Sequence, residues 1–557
     1  MKIRMKILPL ALLALGNSAF AQQPPGAGSQ LNQLRPPVEQ PRTEPRLLIE
    51  ESSAAVDPGA EGARVLVNEL RFTGASAFTQ AELLSATGFV PGTESTLPQL
   101  QAMAGRVTAH YRERGYFVAN AYLPAQDIST HVVTIAVSEG RHGDVILRNK
   151  SRLSDSLIHQ VLGDPGTGEP ILIEPLESRL LRLSDIPGVN IRSTLAPGTA
   201  PGSSDLIIDV DPYRQVTGFV DADNAGNPYT GEYRVGGQLN LNNLAGRGDV
   251  ASLRLLTSGS GLKYGRASYQ TMLGRATVGA AYSWLEYELG KQFRPLGANG
   301  TAKVTSLFGS LPLIRSRDTN LYTGLTFEHR EFEDRLDLFP AANRLADADV
   351  VSLSLYGDHR DGLFGGGANR FHLMLSGGRL DIRSPMPRAI DAMTARTNGD
   401  YAKLWFHGSR VQHVTDTLSL SAAVTGQLAS KNLDPSEKLV LGGMDGVRGY
   451  PQGEGVGDEG VIASLEARLL LARMSDHIPG QLHLLGFVDA GRVTINKDPW
   501  FPGDNERSLS SAGVGLTWSE PANWSVRTYY AWALGSEQAL SAPHQSGRFW
   551  IQAIKYF

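Results

Sequence analysis

For roughly 340 residues after Gln215 the chain carries no helical period. A two-residue alternation takes its place. Leu418, Leu420, Ala422, Val424 and Leu428 interleave with Ser419, Ser421, Thr425 and Gln427, and Ala463, Leu465, Ala467 and Leu469 interleave with Ser464, Glu466 and Arg468. Successive side chains of a strand point to opposite faces, so each segment has one apolar and one mostly polar face. Strands about ten residues long with this pattern predict a transmembrane barrel with a wet interior. A soluble β-sandwich or solenoid also alternates, and the connections separate the two readings. Sixteen candidate strands lie between 214 and 557, an even number. Odd-numbered connections average about 15 residues and even-numbered ones about 5, the contrast of long outer loops with short periplasmic turns. A sandwich has no reason to alternate its loop lengths.

The N-terminus supplies the route to a membrane. Lys2, Arg4 and Lys6 precede the apolar run Ile7–Leu15, and Ala19, Phe20 and Ala21 place small residues where a signal peptidase reads. Residues 1–21 are therefore expected to be a secretory signal. No later segment holds ~18 uninterrupted apolar residues, so membrane crossing is left to strands. The absence of cysteine excludes thiolate metal sites, thiol catalysis and a disulfide framework. With 52 Lys+Arg against 56 Asp+Glu, charge gives no argument for nucleic acid as a partner.

Residues 22–63 read as a proline-rich linker that cannot bury a core, with at most a short plug helix near Gln30–Arg35. From Arg64 the order is strand (Val65 to Phe72), helices Thr79–Thr87 and Leu97–Arg114, then strands Asn120–Leu123 and Val132–Val137. It recurs as strand Gly143–Arg148, helices Ser154–Val161 and Ile173–Ser184, and strands Val189–Leu195 and Asp205–Val210. Such a repeat implies two small α+β modules, 64–140 and 141–213, ahead of a barrel spanning 214–557.

Two stretches are more specific. One is Gly442-Gly443-Met444-Asp445-Gly446-Val447-Arg448-Gly449-Tyr450, in the longest outer connection; the other is Phe487-Val488-Asp489-Ala490-Gly491 on a barrel strand. Alternation puts Leu484, Gly486, Val488 and Ala490 toward lipid and Phe487 and Asp489 toward the lumen. A lumenal carboxylate in a partly desolvated interior needs a partner, and an arginine on a glycine-flanked loop can supply a bidentate one. Loop 429–458 is thus expected to fold into the barrel, pairing Arg448 with Asp489. Arg254, Arg468 and Glu466 are lumenal as well and are read first as ordinary barrel charges. His110 is read as a satisfied surface or interface residue. Gly455–Gly460 satisfies G-x-G-x-x-G without a strand–helix context, so dinucleotide binding is rejected.

Residues 447–450 and 487–491 match the V-R-G-Y and F-x-D-x-G motifs of the two-partner secretion transporters, the TpsB branch of the POTRA-plus-barrel superfamily. The stretch Asn243–Asp249 resembles that family's first barrel hairpin. The resemblance spans the whole chain. It implies a non-enzymatic outer-membrane transporter without cofactor, with its POTRA-like modules in the periplasm. These would receive a large exoprotein, and the barrel would pass it outward. The functional residues carried over are Val447, Arg448, Gly449 and Tyr450 on the loop, with Phe487, Asp489 and Gly491 on the wall. Phe557 ends an alternating strand in the manner of the signal read by the barrel-assembly machinery; Lys555 breaks its apolar row. Outer-membrane lipid is the other expected partner, and the pore is expected to be monomeric. The alternatives are a barrel-assembly factor and a passive porin or receptor.

Overall fold

The computed structural model describes residues 24–34, 47–49, 64–473, 479–543 and 545–557. The expected signal segment lies outside them. Inside the expected linker, two pieces take up structure: helix α1 (Ala27–Asn32) and strand β1 (Leu47–Ile49). The strand corrects the reading of 22–63 as a linker with no more than a plug helix, because β1 joins the sheet of the second module.

The first module contains β2 (Arg64–Val67), β3 (Glu69–Thr73), α2 (Gln80–Thr87), β4 (Thr93–Thr96), α3 (Leu97–Glu113), β5 (Asn120–Tyr122) and β6 (Val132–Ser138). The opening strand read as one piece is two: β2 pairs with β4, while β3 lies parallel to β6. Thr79 and Glu82 form a reciprocal cap that starts α2, satisfying two of its orphan N–H groups. Leu100, Ala104, Val107 and Tyr111 form the buried face of α3. That face is the module's core and is not free for a partner.

The second module contains β7 (Arg141–Asn149), α4 (Asp155–Leu162), α5 (Ile173–Ser184), β8 (Val189–Pro197) and β9 (Ser203–Pro212), with sheet order β1-β8-β9-β7. Glu139 joins the modules. Its buried carboxylate accepts from the Ser76 and Ala77 amides (2.6 and 2.7 Å), from the Tyr111 hydroxyl (3.0 Å) and from Arg141 (3.1 Å). Burial pushes its pKa up, but the hydrogen bonds outweigh it and hold the group below the usual glutamate value.

Sixteen antiparallel strands then close a barrel. The first eight are β10 (Val216–Asp223), β11 (Arg234–Asn242), β12 (Val250–Thr257), β13 (Leu262–Leu273), β14 (Ala276–Glu288), β15 (Ala298–Arg315), β16 (Thr319–Leu336) and β17 (Arg344–Asp361). Next come β18 (Gly367–Ile382), β19 (Gly399–His413) and β20 (Leu418–Ala429). A two-strand ribbon, β21 (Leu439–Val440) with β22 (Val456–Gly457), sits inside the longest connection. The wall resumes with β23 (Glu459–Arg473), β24 (Gln481–Thr494), β25 (Glu506–Glu520), β26 (Trp524–Leu534) and β27 (Gly547–Tyr556). Strands β15 to β18 run several residues past the apolar cores that mark them in the sequence, on the side of the long loops.

The seam closes by five residue pairs between β10 and β27. Phe557 extends it. Its backbone exchanges two hydrogen bonds of 3.1 Å with Gly218, and a Cβ on Gly218 would stand 2.7 Å from the Phe557 ring. Lys555 lies 5.0 Å from the Trp524 ring centre, a cation–π contact that answers its place in an otherwise apolar row.

The second module docks on the short turns, which marks that end as periplasmic. The Ser154 amide donates to the Gly246 carbonyl at 2.9 Å. Arg315 grips Asp185 in bidentate fashion (2.7 and 3.0 Å), and Arg317 pairs with Glu177 at 2.8 Å.

Candidate functional site: the anchored lumenal loop

The residues 430–458 turn back into the lumen and lie against β23 to β27. Arg448 is the centre of this contact. Its Nε and Nη2 donate to the two oxygens of Asp489 at 2.9 and 2.7 Å, and its own backbone amide donates to the same carboxylate at 3.2 Å. Nη1 reaches Glu466 at 2.8 Å, and Glu466 in turn binds Arg468 at 2.8 Å. Asp489 is fully buried and Arg448 is 4% exposed.

The F-x-D-x-G spacing follows from one face of one strand. Phe487, Asp489 and Gly491 all point inward at period two. Phe487 lays its ring under the guanidinium, 3.4 Å from centroid to Cζ, a stacking that arginine permits and lysine does not. Asp489 takes the charge. Gly491 leaves room: a Cβ there would stand 2.9 Å from Leu441 and 3.4 Å from Val447.

The loop motif is equally divided. Val447 is buried in a cluster with Leu439, Leu441, Ile462, Val493 and Leu509. Gly449 passes flush against the wall, where a Cβ would meet Ser511 Cβ at 2.7 Å and the Ala533 amide nitrogen at 2.9 Å. Tyr450, 1% exposed, donates its hydroxyl to the Glu537 carbonyl at 3.0 Å.

Four further residues complete the contact. Ser464 and Ser511 donate to Asp489 at 2.8 and 3.1 Å. Tyr529 places its ring 5.1 Å from the Arg448 guanidinium, and the Trp550 indole donates to the Arg448 carbonyl at 2.7 Å. Ser464 and Ser511 are the register partners of Asp489 on either side. Alternation marks them as lumenal, but only the strand register shows that they flank this carboxylate. Of the other singled-out charges, Glu466 and Arg468 belong to the anchor. Arg254 instead makes a bidentate pair with Asp221 on the wall. His110 lies on the first module against Phe78, ring centres 5.0 Å apart.

The loop is also pinned near its ends. Glu437 pairs with Lys403 at 2.7 Å and with Arg330, and accepts from the Tyr401 hydroxyl at 2.8 Å. Asp458, fully buried, pairs with Lys438 at 2.8 Å. Glu454 pairs with Arg507 at 2.6 Å and accepts from the Leu540 and Ser541 amides. In the G-x-G-x-x-G stretch, Gly455 and Gly457 pack on the loop and the wall, which leaves no phosphate cradle.

Helix α1 lies beside the loop. The Ala27 amide donates to Asp334 at 2.6 Å, Asn32 donates to the Lys438 carbonyl at 2.7 Å, and Gln30 and Gln33 accept from Thr230 and Asn227 at 3.1 and 3.0 Å. A Cβ on Gly28 would stand 2.8 Å from the Ser436 Cβ, so the helix presses its bare backbone on the loop.

A closed barrel, docked α+β modules and an anchored inner loop together define an outer-membrane barrel of the kind that carries periplasmic modules. A profile of the haemolysin secretion/activation proteins ShlB/FhaC/HecB matches residues 202–518, more than half of the chain, and the chain belongs to that family. A ShlB-type POTRA domain profile matches residues 65–140. The heme/hemopexin transporter protein HuxB of Haemophilus influenzae is 28% identical over 84% of this chain and 82% of its own length. The outer membrane transporter CdiB of Dickeya dadantii is 24% identical over 83% of this chain and 81% of its own. The structure of CdiB from Escherichia coli superposes with a TM-score of 0.66 at 22% identity, over 91% of this chain and 92% of that one. The protein is a two-partner secretion transporter of the outer membrane, with its POTRA domains in the periplasm.

Proposed function

We propose that the POTRA modules take one large exoprotein in the periplasm and hand it, unfolded, to the barrel, which passes it outward as an extended chain. No catalytic step or cofactor enters this cycle; folding of the exoprotein outside the cell biases its direction. The Arg448–Asp489 contact carries the reading. It fixes the loop in the lumen through side chains that project from the wall, separate from the backbone hydrogen bonds between the strands, so the loop's position can be altered without dismantling the barrel. Val447, Gly449, Tyr450, Phe487 and Gly491 serve as the fitting that seats it. A barrel that closes on its own first and last strands supports a monomeric pore in outer-membrane lipid. Phe557, at the seam, supports a role as the signal read by the assembly machinery.

The test is deletion of residues 64–140, with the proteins of the culture medium compared by mass spectrometry. One high-mass protein should disappear while a heat-modifiable barrel remains in the outer membrane. Loss of many outer-membrane barrels instead would favour an assembly factor, and an unchanged medium would remove the receptor role of the first module.

A further inference from the structure

Five rings line one arc of the lumenal wall. Tyr322 on β16 faces Tyr356 on β17, which faces His372 on β18, which faces His407 on β19; each pair is in register. Trp405 stands two residues above His407 on the same face. The rings touch in sequence: Tyr322 and Tyr356 are stacked at 5.4 Å, Tyr356 and His372 lie 5.5 Å apart, His372 and Trp405 5.2 Å, and Trp405 and His407 6.3 Å. All five are half-buried, with the remainder turned to the lumen. Their neighbours Leu325, Leu353, Leu355, Leu373 and Leu375 hold the lipid side of the same strands.

A wet barrel interior has no structural need for a row of rings. The arc formed by β11 to β13 shows the ordinary solution, with Gln238, Asn240, Ser252, Ser268 and Gln270 facing inward. The position of the row gives it a purpose. Tyr322, Tyr356, His372 and His407 lie within six residues of the periplasmic ends of their strands. Below them is the docked second module: Arg315, which holds Asp185, also donates to Asn320 at 2.9 Å, two residues before Tyr322. Above them is the loop: Tyr401 and Lys403, on the same strand as Trp405, hold Glu437. The rings therefore occupy the wall between the module docking site and the anchored loop.

We propose that this aromatic row is a slide for the exported polypeptide, the first surface of the pore that an extended chain meets after leaving the second module. The inference rests on the transport reading above. Aromatic faces hold aliphatic groups and peptide planes with little regard to sequence. A conducted chain needs contacts favourable enough to enter yet weak and repeated enough to leave. Four adjacent strands carrying five rings meet both requirements, whereas a wall of serine and glutamine offers an unfolded chain nothing for its apolar residues.

The experiment uses the purified full chain in planar bilayers. The probe is an uncharged, unstructured 30-residue peptide rich in Gly, Thr, Val and Asn, added on the POTRA side. In the unaltered chain the peptide should produce transient current blockades. In Tyr356→Ser combined with Trp405→Ser, their mean duration should fall by roughly five- to ten-fold, with Gln238→Ala on the polar arc as a control that leaves it unchanged. Tyr356→Phe with Trp405→Phe should retain the long blockades, which separates ring contact from fold damage. Equal durations in the serine and unaltered chains would overturn the slide and leave the transport reading intact. No blockade in the unaltered chain would overturn both.

Discussion

Two pieces of the chain share the lumen, and they are held by different physics. The loop 430–458 is fixed to the wall by buried ion pairs at Arg448, Glu437 and Glu454, and Lys438 ties its two ends together through Asp458. Helix α1 is fixed by neutral side-chain hydrogen bonds, one amide donated to Asp334 and the packing of Ala27 and Leu31 on the apolar cluster of the wall, with no ion pair of its own among the described residues. Removing one member of a buried pair strands the other charge, which costs about 3–5 kcal/mol. Removing one neutral hydrogen bond costs about 1 kcal/mol. The loop is thus built to hold its place under load, and the helix to be separable from it.

The sharpest way to break this contrast is Arg448→Ala. It strands Asp489, and secretion should fall by more than about ten-fold at near-normal abundance in the membrane, with the loop newly open to protease. Asp489→Ala should do much the same, and the double variant should be little worse than either, since the second change removes a group already stranded. Strictly additive losses would refute the pairing. Glu437→Gln comes next. It leaves Arg330 and Lys403 facing each other, so protease sensitivity should appear near residue 437 while the Arg448 contact stays protected.

Gly28→Val attacks the helix without touching an ion pair. The added side chain has no space beside Ser436, so the helix should leave its seat, and single-channel conductance should rise while the loop stays protease-resistant. If the loop loosened as well, the two pieces would be one unit and the comparison would fail. Asn32→Ala is the mildest change, worth about 1 kcal/mol. A small increase in spontaneous channel opening, with secretion intact, is the expected outcome.

The same contrast explains what was legible in the sequence. Strand alternation reports burial against lipid, a property each segment carries by itself, so the barrel and its strand count could be read directly. Phe487, Asp489 and Gly491 were legible because they sit on one face of one strand. Ser511, Tyr529 and Trp550 were not, because their proximity to Arg448 depends on register across four strands. Nor was the full length of strands β15 to β18, whose outer ends turn Lys303, Glu331, Asp349 and Arg379 outward, so the lipid-facing apolar row stops, while Phe332, Ala346 and Leu380 are buried on the inward side in a cluster with Ala27. Helix α1 has six residues, too few to show a helical period in the sequence; the side bearing Ala27 and Leu31 is buried by the cluster that lines the lumen around it. Strand β1 is three residues long, and its structure exists only in its pairing with β8.

That pairing sets a tether. Twelve residues separate Leu34, beside the lumen-bound helix, from Leu47 on the second module, and fully drawn out they reach no more than about 47 Å. While β1 remains paired, the helix can swing inward toward the periplasm but cannot be dragged far beyond the cell surface by a departing exoprotein. A helix that left its seat in the lumen would therefore remain on a short cord, fastened to the second module on the periplasmic side of the barrel.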